Sequence, residues 1–358
     1  MRLAARSIAA REAISGLLDE RLTPLELLDE VDVRVRRLVP FDVGGFFTLD
    51  PETVLPNCRH SFTGELGLCG ALLRNEAVTP DLNKFAELAR RTRATAGLRE
   101  AEEATGQLSA RRHAILTPTG IDDEVRIAFR ADGSMWGGAF IMRAHGSPPF
   151  NGDELLFLES IAADVGRGIQ VGLSQVLPMQ ANEDDAIGAG ALLVNERLHV
   201  VSASPAAQQW QRLMPPEASV AINAIALRAQ AAPPDAPAQR ARVNLLNGEW
   251  LILTAAQLVS GIGGGAMLTA ITLSPASPVE LVPLLVRLHG LSVREREVAE
   301  LLQRGLGTDD AATRLHISPH TVRDHVKSIF AKLGVRSRSE LMAVLAGEIP
   351  VAAVTAPA

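Results

Sequence analysis

Toward the carboxyl end, Val322, Val326, Ile329, Phe330 and Leu333 fall at steps of four, three, one and three, one apolar stripe with the 3.6-residue period of a helix. Ser318 supplies a hydroxyl N-cap, and Pro319 a fixed φ with no donor at the first helical position. Gly334 can take positive φ at the other end, and Lys332 lies in the last turn where the helix dipole favours a cation. The spacing predicts a helix over 319–333. Its opposite face presents His320, Thr321, Arg323, Asp324 and Lys327, a polar and basic strip in the first half. Upstream, Thr308 is expected to cap a short helix, DDAATRLH, whose Ala311, Ala312 and Leu315 permit a close crossing. Only residues 316–318 separate the two helices, the tight joint of a helix-turn-helix. Ser292 with Glu295, and Ser337 with Glu340, read as capping boxes opening VREREVAELLQRG and SELMAVL.

The amino-terminal pattern is mixed. Helices are expected near 7–19 and 24–38, the second opened by Thr23, Pro24 and Glu26. FDVGGFFTL reads as a strand, a helical middle follows, and EVRIAFRADGSMWGGAFIMRA makes two strands around Asp132 and Gly133. A long amphipathic helix closes this α+β segment. Between about 184 and 273, GALLVNERLHVVSASPAAQQWQRL reads as strand, turn at Asn195 and Glu196, strand and helix, and GEWLILTAAQLVSGIGGGAMLTAITL as two strands across a glycine-rich turn. Residues 231–238 are expected to be a flexible insertion, 274–290 a linker and 347–358 a disordered tail. No internal repeat is visible.

Composition bounds these elements. With 358 residues and 47% hydrophobic content the chain can build two or three cores, of which a helix-turn-helix needs only a fraction. No apolar run approaches the roughly 18 residues that span a bilayer, and the amino terminus, carrying Glu12, Asp19 and Glu20, reads as an ordinary amphipathic helix rather than a leader. Cys58 and Cys69 lack metal-ligand spacing and point to a reducing cytoplasm. Charge is uneven. From Arg314 to Arg338 there are six basic residues (Arg314, Arg323, Lys327, Lys332, Arg336, Arg338) against Asp324, giving +5 in a chain of net charge −6. An acidic body with one basic stripe fits a protein that meets nucleic-acid phosphate through a single module.

The run from Leu291 to Leu345, with REREV, SPHTV and KLGVRSR, resembles the four-helix LuxR-type (FixJ/NarL-like) DNA-binding domain. That resemblance implies a third helix in the major groove of double-stranded DNA and a fourth in a dimer contact. On chemical grounds Arg323, Asp324 and Lys327 are candidates for base edges. Ser318, His320 and Thr321 at the helix start, and Arg336 and Arg338 beyond it, are candidates for phosphate. His325 is expected to be half-buried. One small module gives limited discrimination, so a homodimer on an inverted repeat is expected. RNA polymerase is a further candidate partner. Residues 1–175 resemble a GAF domain, chiefly in the hairpin followed by PFNGDELLFLESIA, and residues 184–273 a PAS-type fold. Actinobacterial-style LuxR regulators of similar length share the GEWL and VELVPLL strings. The expected fold class is therefore multidomain: an α+β GAF-like domain, an α+β PAS-like domain and an all-α four-helix helix-turn-helix domain at 291–346.

Other chemistries find little footing. PNCRHSF at 56–62 is similar to a flavin-photosensor motif but lacks the Phe-Leu-Gln that should follow its cysteine. NKFAE at 83–87 resembles the cyclic-nucleotide motif of some GAF domains, but the later Asp-Glu is absent at the right distance, and the segment is expected to be a surface helix. His113 and His145 stand alone and read as structural rather than haem ligands. There is no GxxxxGK[ST] loop, no receiver-type acidic pattern and no tyrosine to line an acyl-homoserine-lactone pocket. No catalytic motif, metal cluster or cofactor signature is present, so no cofactor is expected and the chain reads as a regulator rather than an enzyme. Its body is expected to answer an unidentified small-molecule effector or partner. The alternative is a ligand-free scaffold for dimerisation and partner docking.

Overall fold

The computed structural model describes residues 2–63, 68–175, 187–233, 235–258 and 267–348. The chain divides into two compact units, Met1–Arg130 with Met135–Pro275, and Ala276–Ala358, the short turn Ala131–Ser134 being grouped with the latter.

In the first unit, helices α1 (Arg2–Gly16) and α2 (Pro24–Leu38) precede strands β1 (Val43–Asp50) and β2 (Leu55–Thr63). The Thr23–Glu26 capping box forms as its spacing predicts, with the Thr23 amide donating to Glu26 Oε2 at 2.9 Å. Helices α3 (Leu68–Val78) and α4 (Phe85–Leu88), strand β3 (Thr95–Gly97) and α5 (Leu98–Thr105) lead to the hairpin β4 (Ile121–Ala131) and β5 (Ser134–Ala144). Asp132 and Gly133 both carry positive φ, 48° and 68°, as a two-residue hairpin turn requires. Helix α6 (Gly152–Gln175) packs on this sheet at Gly166, where a Cβ would come within 2.5 Å of the Arg130 backbone. The strand order is β2-β1-β5-β4-β3.

The second sheet repeats that order. Strands β6 (Gly190–Asn195) and β7 (Val200–Ala203), helices α7 (Pro205–Leu213) and α8 (Ser219–Ala231), and strands β8 (Gln239–Asn244), β9 (Trp250–Leu258) and β10 (Leu268–Pro275) give β7-β6-β10-β9-β8. Without any visible sequence repeat, the same second-first-fifth-fourth-third arrangement therefore occurs twice. The glycine-rich connection at 259–266 lies outside the described residues, as does residue 234 within the expected insertion.

The two sheets share a core. Helix α8 is apolar nearly all round, with Val220, Ala221, Ile222, Ala224, Ile225, Ala226, Leu227 and Ala229 all buried. Leu55 of β2 belongs to the same cluster, and Cys58 and Leu73 pack against it from the first sheet's side. Asp50, 1% exposed, joins β1 to β8: its carboxylate accepts the Arg242 amide at 3.1 Å and the Arg242 guanidinium at 3.2 Å. Arg228 Nη1 donates to the Thr53 carbonyl at 2.6 Å. NKFAE is not a surface helix, since Asn83 and Phe85 are buried and Asn83 Nδ2 donates to the Gly97 carbonyl. Its asparagine bridges to β3, which takes the segment inward.

The second unit is all helix: α9 (Pro278–Leu288), α10 (Val293–Gln303), α11 (Thr308–Leu315), α12 (Pro319–Leu333) and α13 (Arg338–Leu345). The linker expected at 274–290 is corrected here. Ser277 and Glu280 form a capping box, and Val282 and Val286 enter the same core as Val298, Ile329 and Leu341. The expectation for Thr308 also changes: Gly307 is the N-cap residue and Thr308 the first helical one. The expected tail at 347–358 lies outside the described residues from position 349 onward.

Candidate nucleic-acid interface

Helix α12 owes its start to Ser318, whose Oγ accepts the Thr321 amide at 3.0 Å and lies 2.8 Å from Thr321 Oγ1. Its end is set by Gly334 at φ 68°, with the Val335 amide donating to the Phe330 carbonyl at 3.1 Å. Val322, Ile329 and Leu333 are fully buried, and Val326 and Phe330 pack partly against the same core. One face is thereby fixed inward and the other left to solvent.

Ala311 and Ala312, both buried, let α11 cross close beneath α12. The joint turns at His316, a non-glycine residue at φ 55°, after which the Ile317 amide donates to the Ala312 carbonyl at 3.1 Å. Arg294 of α10 holds this joint from below, its Nη2 donating to the Leu315 carbonyl at 2.5 Å and its Nη1 to Glu297 at 2.6 Å. Sequence reading missed that role, because an arginine in a helical first turn gives no sign that it reaches across to another helix.

His320, Arg323, Asp324 and Lys327 lie together on the exposed face, with the His320 and Lys327 side chains each 79% exposed. Asp324 stands between them, 3.5 Å from His320 Nε2 and 3.9 Å from Lys327 Nζ. Exposed pairs of this kind contribute little to stability, so these groups remain available to another charged molecule. Arg323 Nε donates to the Pro319 carbonyl at 3.2 Å, while its two Nη groups bond no described residue. Thr321 and His325 are half-buried, Ser318 and Arg336 exposed. Arg338 opens α13, and its Nη2 donates to the Leu306 carbonyl at 2.6 Å.

Lys332 departs from the basic stripe it was counted in. Its ammonium donates to Glu295 Oε2 and to the Gly290 carbonyl, both at 2.8 Å. Burial alone would raise the Glu295 carboxyl, but hydrogen bonds from Lys332, Ser328 and Ser292 outweigh it and hold the group at about 2. Lys332 is thus part of the domain's internal frame. Ser337 also makes only half of its expected box: its Oγ accepts the Glu340 amide, while the Glu340 carboxylate accepts the Arg336 amide at 2.7 Å.

Among the described residues no group of His, Cys, Asp or Glu is placed to hold a metal ion, and no helix is long and apolar enough to cross a membrane. What the geometry defines is a helix-turn-helix protein whose α12 carries an exposed strip of one arginine, one lysine, one aspartate and one histidine. The family described as bacterial regulatory proteins, luxR family, matches residues 289–345. Spore germination protein GerE of Bacillus subtilis is 46% identical over 55 residues, 15% of this chain and 74% of that protein. The chain belongs to the luxR family. A putative HTH-type transcriptional regulator of Mycobacterium bovis is 44% identical over 52 residues, 14% of this chain, and the match spans only 6% of that relative's length. Among solved structures, the GAF domain of a phosphoenolpyruvate-protein phosphotransferase from Coxiella burnetii aligns with 46% of this chain and 94% of its own, at 15% identity and a TM-score of 0.33. That likeness is too distant to assign anything by.

Proposed function

We propose that this chain is a sequence-specific DNA-binding transcription regulator that acts in the cytoplasm as a homodimer, with α12 entering the major groove of duplex DNA. The observation that carries the reading is the exposed strip His320, Arg323, Asp324 and Lys327 on a helix whose other face is locked into a core. Arg323 and Lys327 suit guanine O6 and N7, and Asp324 suits a cytosine amine. Ser318, His320, Thr321, Arg336 and Arg338 suit phosphate, which positions without reading sequence. Two copies on an inverted repeat supply the specificity that one module lacks, and RNA polymerase is the partner through which binding would change transcription. Residues 1–175 and 184–273 form the regulatory body, and a signal acts through it to the extent that it binds one arrangement better than another.

The test is a gel-shift series on selected duplexes at several salt concentrations. Arg323→Ala and Lys327→Ala should relax base preference, each by about 1–3 kcal/mol of discrimination. Arg336→Ala should weaken all sequences alike and reduce the salt dependence by about one phosphate contact. Binding unchanged on every sequence in all three variants would overturn the assignment.

A further inference from the structure

A cavity of about 70 Å³, open on one side, lies beside the first sheet. Its wall is formed by Phe47 of β1, Phe85 of α4, Phe140 of β5, Cys69 of α3 and, from the other half of the unit, Val220 of α8. Phe47 and Phe85 meet edge to face at 5.0 Å. They lie over Gly138, where a Cβ would come 2.9 Å from Phe85 and 3.1 Å from Phe47, so the bare strand is what lets the two rings settle there.

Two polar side chains reach this otherwise apolar wall, Glu76 and Arg126. Both Glu76 oxygens are engaged, one by the Phe85 amide at 2.8 Å and the other by Arg126 Nη1 at 2.7 Å. Arg126 is 3% exposed; its Nε donates to Glu124 at 3.2 Å and its Nη1 also to the Asn83 carbonyl. Its Nη2 makes no hydrogen bond to any described residue. A donor on a mostly buried side chain, with no partner from the protein, can take an acceptor from a bound molecule. Charge decides which. Arg111 stands behind, bonded to Glu124 at 2.6 Å and 3.5 Å from Asp81, so the two guanidinium groups face three carboxylates. Arg228 also acts on Glu76, so the cluster is balanced and leaves no excess positive charge to hold an anion.

We infer that this cavity binds a small, uncharged, ring-sized apolar molecule carrying one hydrogen-bond acceptor, which Arg126 Nη2 would meet. As an effector site it rests on the regulatory reading above; as a binding site it does not. Its occupant would touch Phe47 and Val220 at once, and so would bear on the fit between the two sheets.

Acetophenone and benzoate are the probes, similar in size and shape and different in charge, each titrated into the full-length chain by calorimetry. Acetophenone should bind saturably, and benzoate at least about tenfold more weakly because no excess positive charge offsets the desolvation of its carboxylate. Cys69→Phe and Val220→Phe, which fill the void from opposite sides, should each abolish acetophenone binding, scored in whichever variant keeps the wild-type circular dichroism spectrum. In the unmodified chain acetophenone should slow alkylation of Cys69 in step with its binding, a readout that needs no variant. No saturable binding, benzoate binding as tightly as acetophenone, or alkylation of Cys69 unaffected by acetophenone would overturn the site. Salt-sensitive DNA binding is measured on the same preparations: its survival beside a failed titration sinks the cavity alone, and its absence sinks the regulatory reading.

Discussion

Lys332 Nζ lies 2.8 Å from Glu295 Oε2, tying the last turn of α12 to the first turn of α10. The cation nearest the end of the candidate recognition helix therefore works inward. Lys332→Met should destabilise the helical domain by about 1–3 kcal/mol, since it removes a charge-assisted bond from a buried carboxylate. It should leave the salt dependence of DNA binding unchanged. Urea unfolding followed by hydrogen exchange reads the first effect, and the salt series reads the second. A fall in salt slope equal to that of Arg336→Ala would place Lys332 on phosphate after all.

The same carboxylate gives a pH dependence of known sign. Glu295 is held at about 2 in the folded chain against an ordinary 4.5, so the unfolded chain takes up its proton first. Its contribution is complete above 4.5 and disappears as pH falls from there toward 2. Amides of α10 and α12 should lose exchange protection across that window. Glu295→Gln should lower protection at neutral pH and flatten the acid dependence. A variant with the wild-type profile would show that the pair contributes nothing.

His316 occupies a left-handed conformation, φ 55° and ψ 44°, at the turn of the helix-turn-helix. Glycine adopts it without the steric cost of a Cβ. His316→Gly should stabilise the domain by up to about 1 kcal/mol, read as a higher urea midpoint for α11 and α12. A lower midpoint would mean that the histidine side chain makes a contribution larger than its strain.

Asp50 and Arg242 couple the two sheets. Asp50→Asn removes the buried one of two carboxylates paired with Arg242, Glu52 keeping its own contact at 2.6 Å, and should cost about 1–3 kcal/mol. Trp136 sits in the first sheet's β5, Trp250 in the second sheet's β9, and each is buried. In the parent chain single-tryptophan variants should unfold at one midpoint. In Asp50→Asn the midpoint should fall for both. Two separate midpoints in the parent would show that the sheets unfold independently.

The helical domain was largely legible because its signals are local. Ser318-Pro319, Ser292 with Glu295 and the stripe from Val322 to Leu333 each specify a cap or a buried face within one helix. What escaped depends on distant partners. Helix α8, SVAINAIALRAQA, is buried on almost every side and so carries no amphipathic stripe. Strand β8, QRARVN, is a charged edge strand whose Arg242 finds Asp50 from a separation of 192 residues. Helix α9 carries a legible Ser277–Glu280 box, but the flanking prolines made it read as a linker. In the interface the strip was readable from helical spacing. The inward turn of Lys332 was not, because it depends on Glu295 lying across the helix pair.

The placement of α8 has a consequence for biosynthesis. A nascent chain that has emerged only as far as α6 has nothing to lay over Leu55 and Leu73, since the residues that cover them are synthesised about fifty positions later. Those side chains stay wet until residue 231 clears the ribosome, so a fragment ending at 175 should be sticky and poorly recovered, and expression of this chain in pieces should be cut after Pro275.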